Sequence, residues 1–291
     1  MLRLKGDRFW GYLFIGPTML GITVLNLYPI INTMYMTLFR TKGLRRDKLS
    51  FVGWDNFRNL FEDENFWQAM SNTLVYTFIT VPLSIFFALI VAALLNSGVR
   101  GKGLFRTIFF TPVVVPGVAL GVIWIFLLQA KYGILNSLLG TEIPFLTHSS
   151  YALTTISFIG VWAAVGYYAI LFIAGMQSIS PTFYEAARMD GSGPLRSFCM
   201  ITLPLLSPTI FMVLILAVIS GLQIFDLPAV MVERQNPAYT SVRPVLEFYF
   251  RYTFNAGKSG IGSVVIVILL GIILLVTAIQ FRLQRKWVHY E

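Results

Sequence analysis

Apolar and charged positions fall in long blocks along the chain, with no sustained strand-like alternation. Six stretches contain no Asp, Glu, Lys or Arg: Phe9 to Phe39, Asn65 to Val99, Thr107 to Ala130, Ile143 to Tyr184, Ser197 to Phe225 and Ser259 to Phe281. Each exceeds the roughly 20 residues a helix needs to cross about 30 Å of hydrocarbon. A charge near the bilayer centre costs at least a few kcal/mol, so these runs mark where the chain can cross. The pattern predicts an all-α, polytopic membrane protein of six transmembrane helices in one domain, near 10–38, 70–96, 105–129, 152–176, 205–227 and 259–281. Barrel strands are excluded, because the apolar/polar alternation they require is missing.

Composition agrees: 56% of residues are hydrophobic and 12% charged, about half the charge of a soluble domain. The opening "MLRLKGDRFW" and its apolar run resemble the start of a signal peptide. The run is too long for one and no small-residue cleavage site closes it, so the first helix is expected to stay. Cys199 stands alone, which excludes an intrachain disulfide and a multi-cysteine metal site and leaves it a packing role. The net charge of +9 comes from 22 Lys and Arg spread over every loop and both tails. That spread fits anionic headgroups and argues against nucleic acid. It does not orient the chain, because the two sets of loops hold 11 basic residues each.

Chemistry is sparse. No G-x-x-x-x-G-K-[ST] loop is present: the pairs Gly101-Lys102 and Gly257-Lys258 have Asn96 and Tyr252 where the first glycine should stand. The chain is therefore expected to hydrolyse no ATP. Asp226, near the end of the fifth span, is the one acidic candidate for an ion-coupling site, so a secondary transporter or channel would be unusually bare. His148 in "FLTHSSY" reads as a loop residue and His289 as a tail residue; neither has the neighbours of a catalytic triad or an H-E-x-x-H metal site. A membrane enzyme is thus the weaker rival, and neither metal nor cofactor is expected on this chain. A bundle with neither motor nor catalytic site must draw on a partner, and a partner needs a docking element.

That element is "SISPTFYEAARMDGSG" and the sequence after it. Ser180 suits a helix cap, Pro181 a first turn, and Gly191 and Gly193 an end, which predicts a helix near 181–190. Pro194 can open a second helix, "PLRSFCMIT", before Pro204 and Pro208 shape the entry to the fifth span. Ala186 and Ala187 permit close approach, while Phe183 and Met189 offer apolar contacts. An amphipathic loop lying on the membrane surface is the competing reading.

The segment resembles the signature loop of inner-membrane permease subunits of binding-protein-dependent ABC importers, E-A-A-x3-G-x9-I-x-L-P. Glu185, Ala186, Ala187, Gly191, Ile201, Leu203 and Pro204 match at the required spacings, with Asp190 before the glycine. The resemblance implies a cytoplasmic coupling loop over 180–204, in which Phe183, Glu185, Ala186, Ala187, Asp190, Gly191, Ile201, Leu203 and Pro204 meet an ATP-binding subunit. It further implies a second homologous permease, two cytoplasmic ATPases that carry the ATP and Mg, an extracytoplasmic binding protein, and a prokaryotic inner membrane with both termini cytoplasmic.

The likeness runs over nearly the whole chain. "GPTMLGITVLNLYPI", "FVGWDNFRNLFEDENFWQAMSNTLVYT" and "RGKGLFRTIFFTPVVVPGVALGVIWIFLLQAKYGILN" resemble the carbohydrate-uptake branch, with a structured segment expected at "FVGWDNF". Where sugar permeases often carry Gly-Gly-Pro, this chain has Gln235, Asn236 and Pro237, which leaves oligosaccharides, polysaccharide fragments and phosphorylated polyols all open. A sugar path needs hydrogen-bonding groups and flat aromatic faces. Asn72, Thr77, Trp124, Gln129, Trp162, Tyr167, Tyr168, Gln223 and Asp226 supply them within the spans, where interfacial anchoring and helix packing are the competing roles. Gly117 and Gly121 form G-x-x-x-G and read as close helix packing, with the partner permease as one candidate neighbour.

Overall fold

The computed structural model describes residues 4–41, 49–97 and 101–288. His289 and the basic residues Arg3, Lys42, Arg45, Arg46, Lys48 and Arg100 of the orientation count lie outside the described residues. The described chain is helical apart from loops and one short antiparallel ribbon, Phe39–Thr41 with Leu49–Phe51, in which Phe39 faces Phe51.

Five helices are long and apolar enough to cross a membrane: Trp10–Met36, Glu64–Asn96, Ser149–Gln177, Ser207–Met231 and Ser259–Gln284. The third crossing differs from the straight helix expected over 105–129. It consists of two helices, Lys102–Val114 and Gly117–Leu127, bent by 107°. The cause is local: proline disfavours the helical conformation in the residue before it. Val115 accordingly sits at φ −81°, ψ 127°, and Pro116 at φ −55°, ψ 138°. The pair completes six crossings if it is counted as one span.

The chain divides into two compact units. The larger comprises Asn65–Glu247 and Gly271–Glu291. The fourth span, Ser149–Gln177, is its most buried helix and carries glycine where neighbours come closest. Between apolar helices in lipid there is no hydrophobic drive, so association rests on close packing and favours small side chains. A methyl group at Gly166 would strike the backbone carbonyl of Phe109, and one at Gly175 would meet Thr209 and Leu206. Ala88, Ala92, Ala169 and Phe172 are fully buried in the same cluster.

Beyond the fifth span the chain is tied back by polar side chains. Asn72 Nδ2 donates to the carbonyls of Thr240 (2.8 Å) and Arg243 (3.0 Å), and the Val245 amide donates to Thr73 Oγ1 (2.9 Å). Arg243, 2% exposed, donates to the Asn65 carbonyl at 3.1 Å. Asn236, in the stretch that departs from Gly-Gly-Pro, donates to the Leu146 carbonyl (3.1 Å) and accepts from the Ala238 amide (2.9 Å).

The smaller unit comprises Met1–Glu64 and Phe248–Leu270. The segment "FVGWDNF" is structured, as expected: it leads from the ribbon into the helix Asp55–Phe61. Asn56 is buried and donates to the carbonyls of Thr37 (2.7 Å) and Phe39 (2.8 Å). Thr41 Oγ1 donates to the Gly257 carbonyl and accepts from the Ser259 amide, both at 2.9 Å, which fixes the start of the sixth span. Tyr252 donates to Asp63 at 2.6 Å; burial raises its phenol pKa above the usual value, and the carboxylate acts in the same direction.

Gly166→Val forces the Phe109 carbonyl away from a helix backbone that cannot yield. The expected loss is about 1–3 kcal/mol of stability, read as a lower thermal midpoint in detergent. Gly271→Ala, whose added methyl meets nothing within 4 Å, leaves the midpoint unchanged.

Candidate functional site

Two places in the larger unit carry functional character. The first is the charged interruption between the fourth and fifth spans. Pro181–Met189 forms a helix, close to the span expected. Ser180 occupies the cap position, but its hydroxyl pairs with Thr182 Oγ1 at 2.9 Å and makes no side-chain cap bond to the helix, a departure from the expected capping.

The C-terminus of this helix closes as the glycine foretold. The Ser192 amide reaches the Ala187 carbonyl (2.8 Å) and the Gly191 amide the Arg188 carbonyl (3.0 Å), with Gly191 at φ +72°. This paired closure needs a left-handed residue, which glycine adopts without strain. Pro194–Ser197 then begins a second helical stretch that continues through a wide turn, Phe198–Thr202, into Leu203–Leu205.

Phe183, Glu185, Ala186, Asp190 and Gly191 are exposed, with Ala187 half-buried, so the first helix presents the matched motif outward. Met189 is 89% exposed. No ion pair among the described residues occupies Glu185, Arg188, Asp190 or Arg196. Ile201, Leu203 and Pro204 are half-buried on the second stretch, and Tyr184 Oη pairs with the buried Thr202 Oγ1 at 2.9 Å. The two halves of the motif are therefore pinned together, and the second runs into the fifth span.

The second place is a cleft of about 270 Å³ lined by the second, fourth and fifth spans. Tyr76, Thr80, Ser84, Tyr167, Tyr168 and Ser220 give it hydroxyl groups, and among the described residues no charged side chain lines it. Thr80 Oγ1 donates to the Tyr76 carbonyl (2.8 Å) and Ser84 Oγ to the Val81 carbonyl (3.1 Å), which leaves their acceptor lone pairs available. Gly160 makes room for Tyr76, because a methyl there would collide with the phenol oxygen.

The other path candidates separate. Trp124 and Trp162 pack edge to face, ring centres 5.5 Å apart, and line a cavity of about 510 Å³ whose remaining walls are largely aliphatic and Phe. Asn72 is buried and its amide donates to the Thr240 and Arg243 carbonyls, a structural duty. Thr77 bonds its own helix at the Thr73 carbonyl and packs against Gly221. Gln129, Gln223 and Asp226 are exposed, the last two at the break that separates Ser207–Leu222 from Asp226–Met231.

Gly117 and Gly121 sit at a helix contact. The close helix packing expected of them is found within this chain, Gly117 against Asp226 and Gly121 against Val230 and Met231. Among the described residues no group of three His, Cys, Asp or Glu is placed to hold a metal.

Sequence reasoning passed over Tyr76, Thr80, Ser84, Gly160 and Ser220. Tyr76, Thr80 and Ser84 recur every fourth residue, so one helical face of an otherwise apolar run carries three hydroxyls. That spacing was the available signal.

Residues 81–289 match the model of the family described as "Binding-protein-dependent transport system inner membrane component". The lactose transport system permease protein of Rhizobium radiobacter is 33% identical over 286 residues, covering 95% of this chain and 94% of its own. The sulfoquinovosyl glycerol transport system permease protein of Agrobacterium fabrum is 31% identical over 287 residues, covering 96% and 92%. A chain of the solved bacterial alginate ABC transporter, in complex with alginate pentasaccharide-bound periplasmic protein, superposes with a TM-score of 0.86 at 21% identity, covering 98% of this chain and 97% of its own. The same fold therefore carries the exposed helix–glycine–helix segment and the cleft, and the chain belongs to the family of binding-protein-dependent transport system inner membrane components.

Proposed function

We propose that this chain is a permease subunit of an ATP-driven importer, forming with a second permease the path for a carbohydrate delivered by an extracytoplasmic binding protein. The observation that carries the reading is the exposed segment Pro181–Met189, joined through Tyr184 and Thr202 to the stretch that enters the fifth span. Such a segment can act as a lever. Two cytoplasmic ATPases, which carry the ATP and Mg, close on nucleotide and displace the first helix. The Tyr184–Thr202 link passes that displacement to Ser207–Leu222, which lines the cleft through Ala217, Ser220 and Gly221. Alternating access follows, with the cleft facing outward when the motors are closed and inward after hydrolysis.

With the bent pair counted as one span, the proposal has both termini on the side of the coupling segment, the cytoplasmic side of a prokaryotic inner membrane. Relatives named for lactose and sulfoquinovosyl glycerol support a glycoside as cargo. The cleft supports a neutral one: hydroxyls and aromatic faces suit sugar hydroxyls, whereas a phosphate would call for a cation that the lining lacks. A sugar-phosphate or polyol importer is the alternative, and a self-contained secondary transporter is the rival from another class.

Copurification with candidate ATPases, followed by cargo-stimulated hydrolysis in liposomes containing the binding protein, tests the coupling. Gly191→Pro cannot hold a positive φ, and Glu185→Lys reverses an exposed charge. Each should lower stimulated hydrolysis by roughly tenfold, the factor set by 1.4 kcal/mol of lost contact, while the chain stays folded. Uptake by this chain alone in an ion gradient would sink the reading.

At the cleft, Tyr168→Phe keeps the ring and removes one hydroxyl. The uptake KM should rise about fivefold, the worth of a hydrogen bond of ~1 kcal/mol, with stimulated hydrolysis at saturating cargo preserved. An unchanged KM would remove Tyr168 from the path.

A further inference from the structure

A pocket of about 500 Å³ in the smaller unit lies where the first span ends and the sixth begins. Its lining is unlike that of the cleft. Arg40 and Lys258 bring positive charge, Asn56, Asn59 and Thr41 are polar, and among the described residues no carboxylate lines it. Both cations are exposed, and among the described residues neither has a carboxylate within ion-pair distance; Lys258 lies 5.8 Å from the centre of the Tyr252 ring.

The walls are stiff. Asn56 and Thr41 are held by the bonds described above, and a methyl group on Gly260 would strike the Phe39 carbonyl, so the start of the sixth span is packed tightly against the ribbon. The pocket is thus a preformed concavity with two cations at its rim.

Its surroundings identify the depth at which it sits. Tyr35, Phe51, Trp54, Phe250 and Phe254 are all exposed, each within a few residues of the pocket's elements. Exposed aromatic rings at the ends of spans mark the headgroup layer of a bilayer. The last turns of the first span also expose Ile31 and Met34, an apolar surface on which acyl chains can lie.

We infer that this pocket binds the phosphate of an anionic glycerophospholipid, with Arg40 and Lys258 pairing the charge and Asn59 at the ester and glycerol oxygens. A bare phosphate would satisfy the cations but leave the exposed apolar turn beside them without purpose. The site is separate from the cargo cleft and from the coupling segment, and it does not rest on the identity of the cargo.

The test uses the full chain purified in detergent, with bound lipid counted by native mass spectrometry against added phosphatidylglycerol, phosphatidylcholine or glycerol phosphate. Phosphatidylglycerol should be retained well above phosphatidylcholine, and retention should fall as salt is raised. The double variant Arg40→Ala/Lys258→Ala should weaken retention about thirtyfold, the combined worth of two cations at a membrane surface. Arg40→Lys should keep most of it, which separates charge from folding. Arg58→Ala, removing an exposed guanidinium already paired with Glu62 at 2.9 Å, should leave it unchanged. Equal retention of the two lipids, or full retention by the double variant, overturns the inference. Glycerol phosphate competing as well as the lipid overturns it too, because the site would then serve a water-soluble anion.

Discussion

Hydrocarbon offers no hydrogen-bond partner to a backbone N–H or C=O, and that constraint shapes this molecule before any side chain is considered. It forces each crossing into helix. It also requires that irregular backbone be covered by protein or lie beyond the apolar layer. The bend at Val115–Pro116 is followed by a helix that packs through Gly117 and Gly121 onto Asp226–Met231. The irregular chain after Met231 is held by Asn72 and Thr73, which take up two of its carbonyls and one of its amides, and by its own Arg243, which donates to the Asn65 carbonyl. Buried polarity here supports backbone, and Asn72 is spent on it.

The same solvent removes the hydrophobic drive between helices and leaves close contact to do the work. The fourth span illustrates the consequence: Gly160, Gly166 and Gly175 each admit an atom of a neighbouring helix that a methyl group would exclude. At Gly160 that atom is the phenol oxygen of Tyr76, so one packing glycine also sets the shape of the cleft. Packing and cleft share a residue because the cleft lies between helices that form the core.

A lever must be exposed to be gripped and stiff to transmit force, and those demands usually conflict. In the proposed coupling role, the segment Pro181–Met189 meets both with few interactions. Among the described residues its charged side chains form no ion pair, while the closure at Gly191 and the Tyr184–Thr202 pair remove freedom at its base. The charges that interrupt the apolar sequence at 185, 188, 190 and 196 are solvated on this surface. Elsewhere Arg40 and Lys258 line one pocket, and Arg243 is buried and bonded to the Asn65 carbonyl.

The positions of the crossings were legible in the sequence because the desolvation of a charge is a local quantity that needs no knowledge of neighbours. The coupling segment was equally legible, since a helix start, a left-handed glycine and a second start are set by adjacent residues. The bend at Pro116 was written in Val115–Pro116 too, but a count of charges alone is blind to it. Which helical face meets which neighbour was not legible. Gly117 and Gly121 fit an intrachain contact as well as a partner, and Asn72, Tyr76, Thr80 and Ser84 lie on one span with opposite fates. Small and hydroxyl-bearing residues carry too little hydrophobic contrast to choose a direction in lipid, so only the packing of the spans decided which of them hold the fold and which line the path.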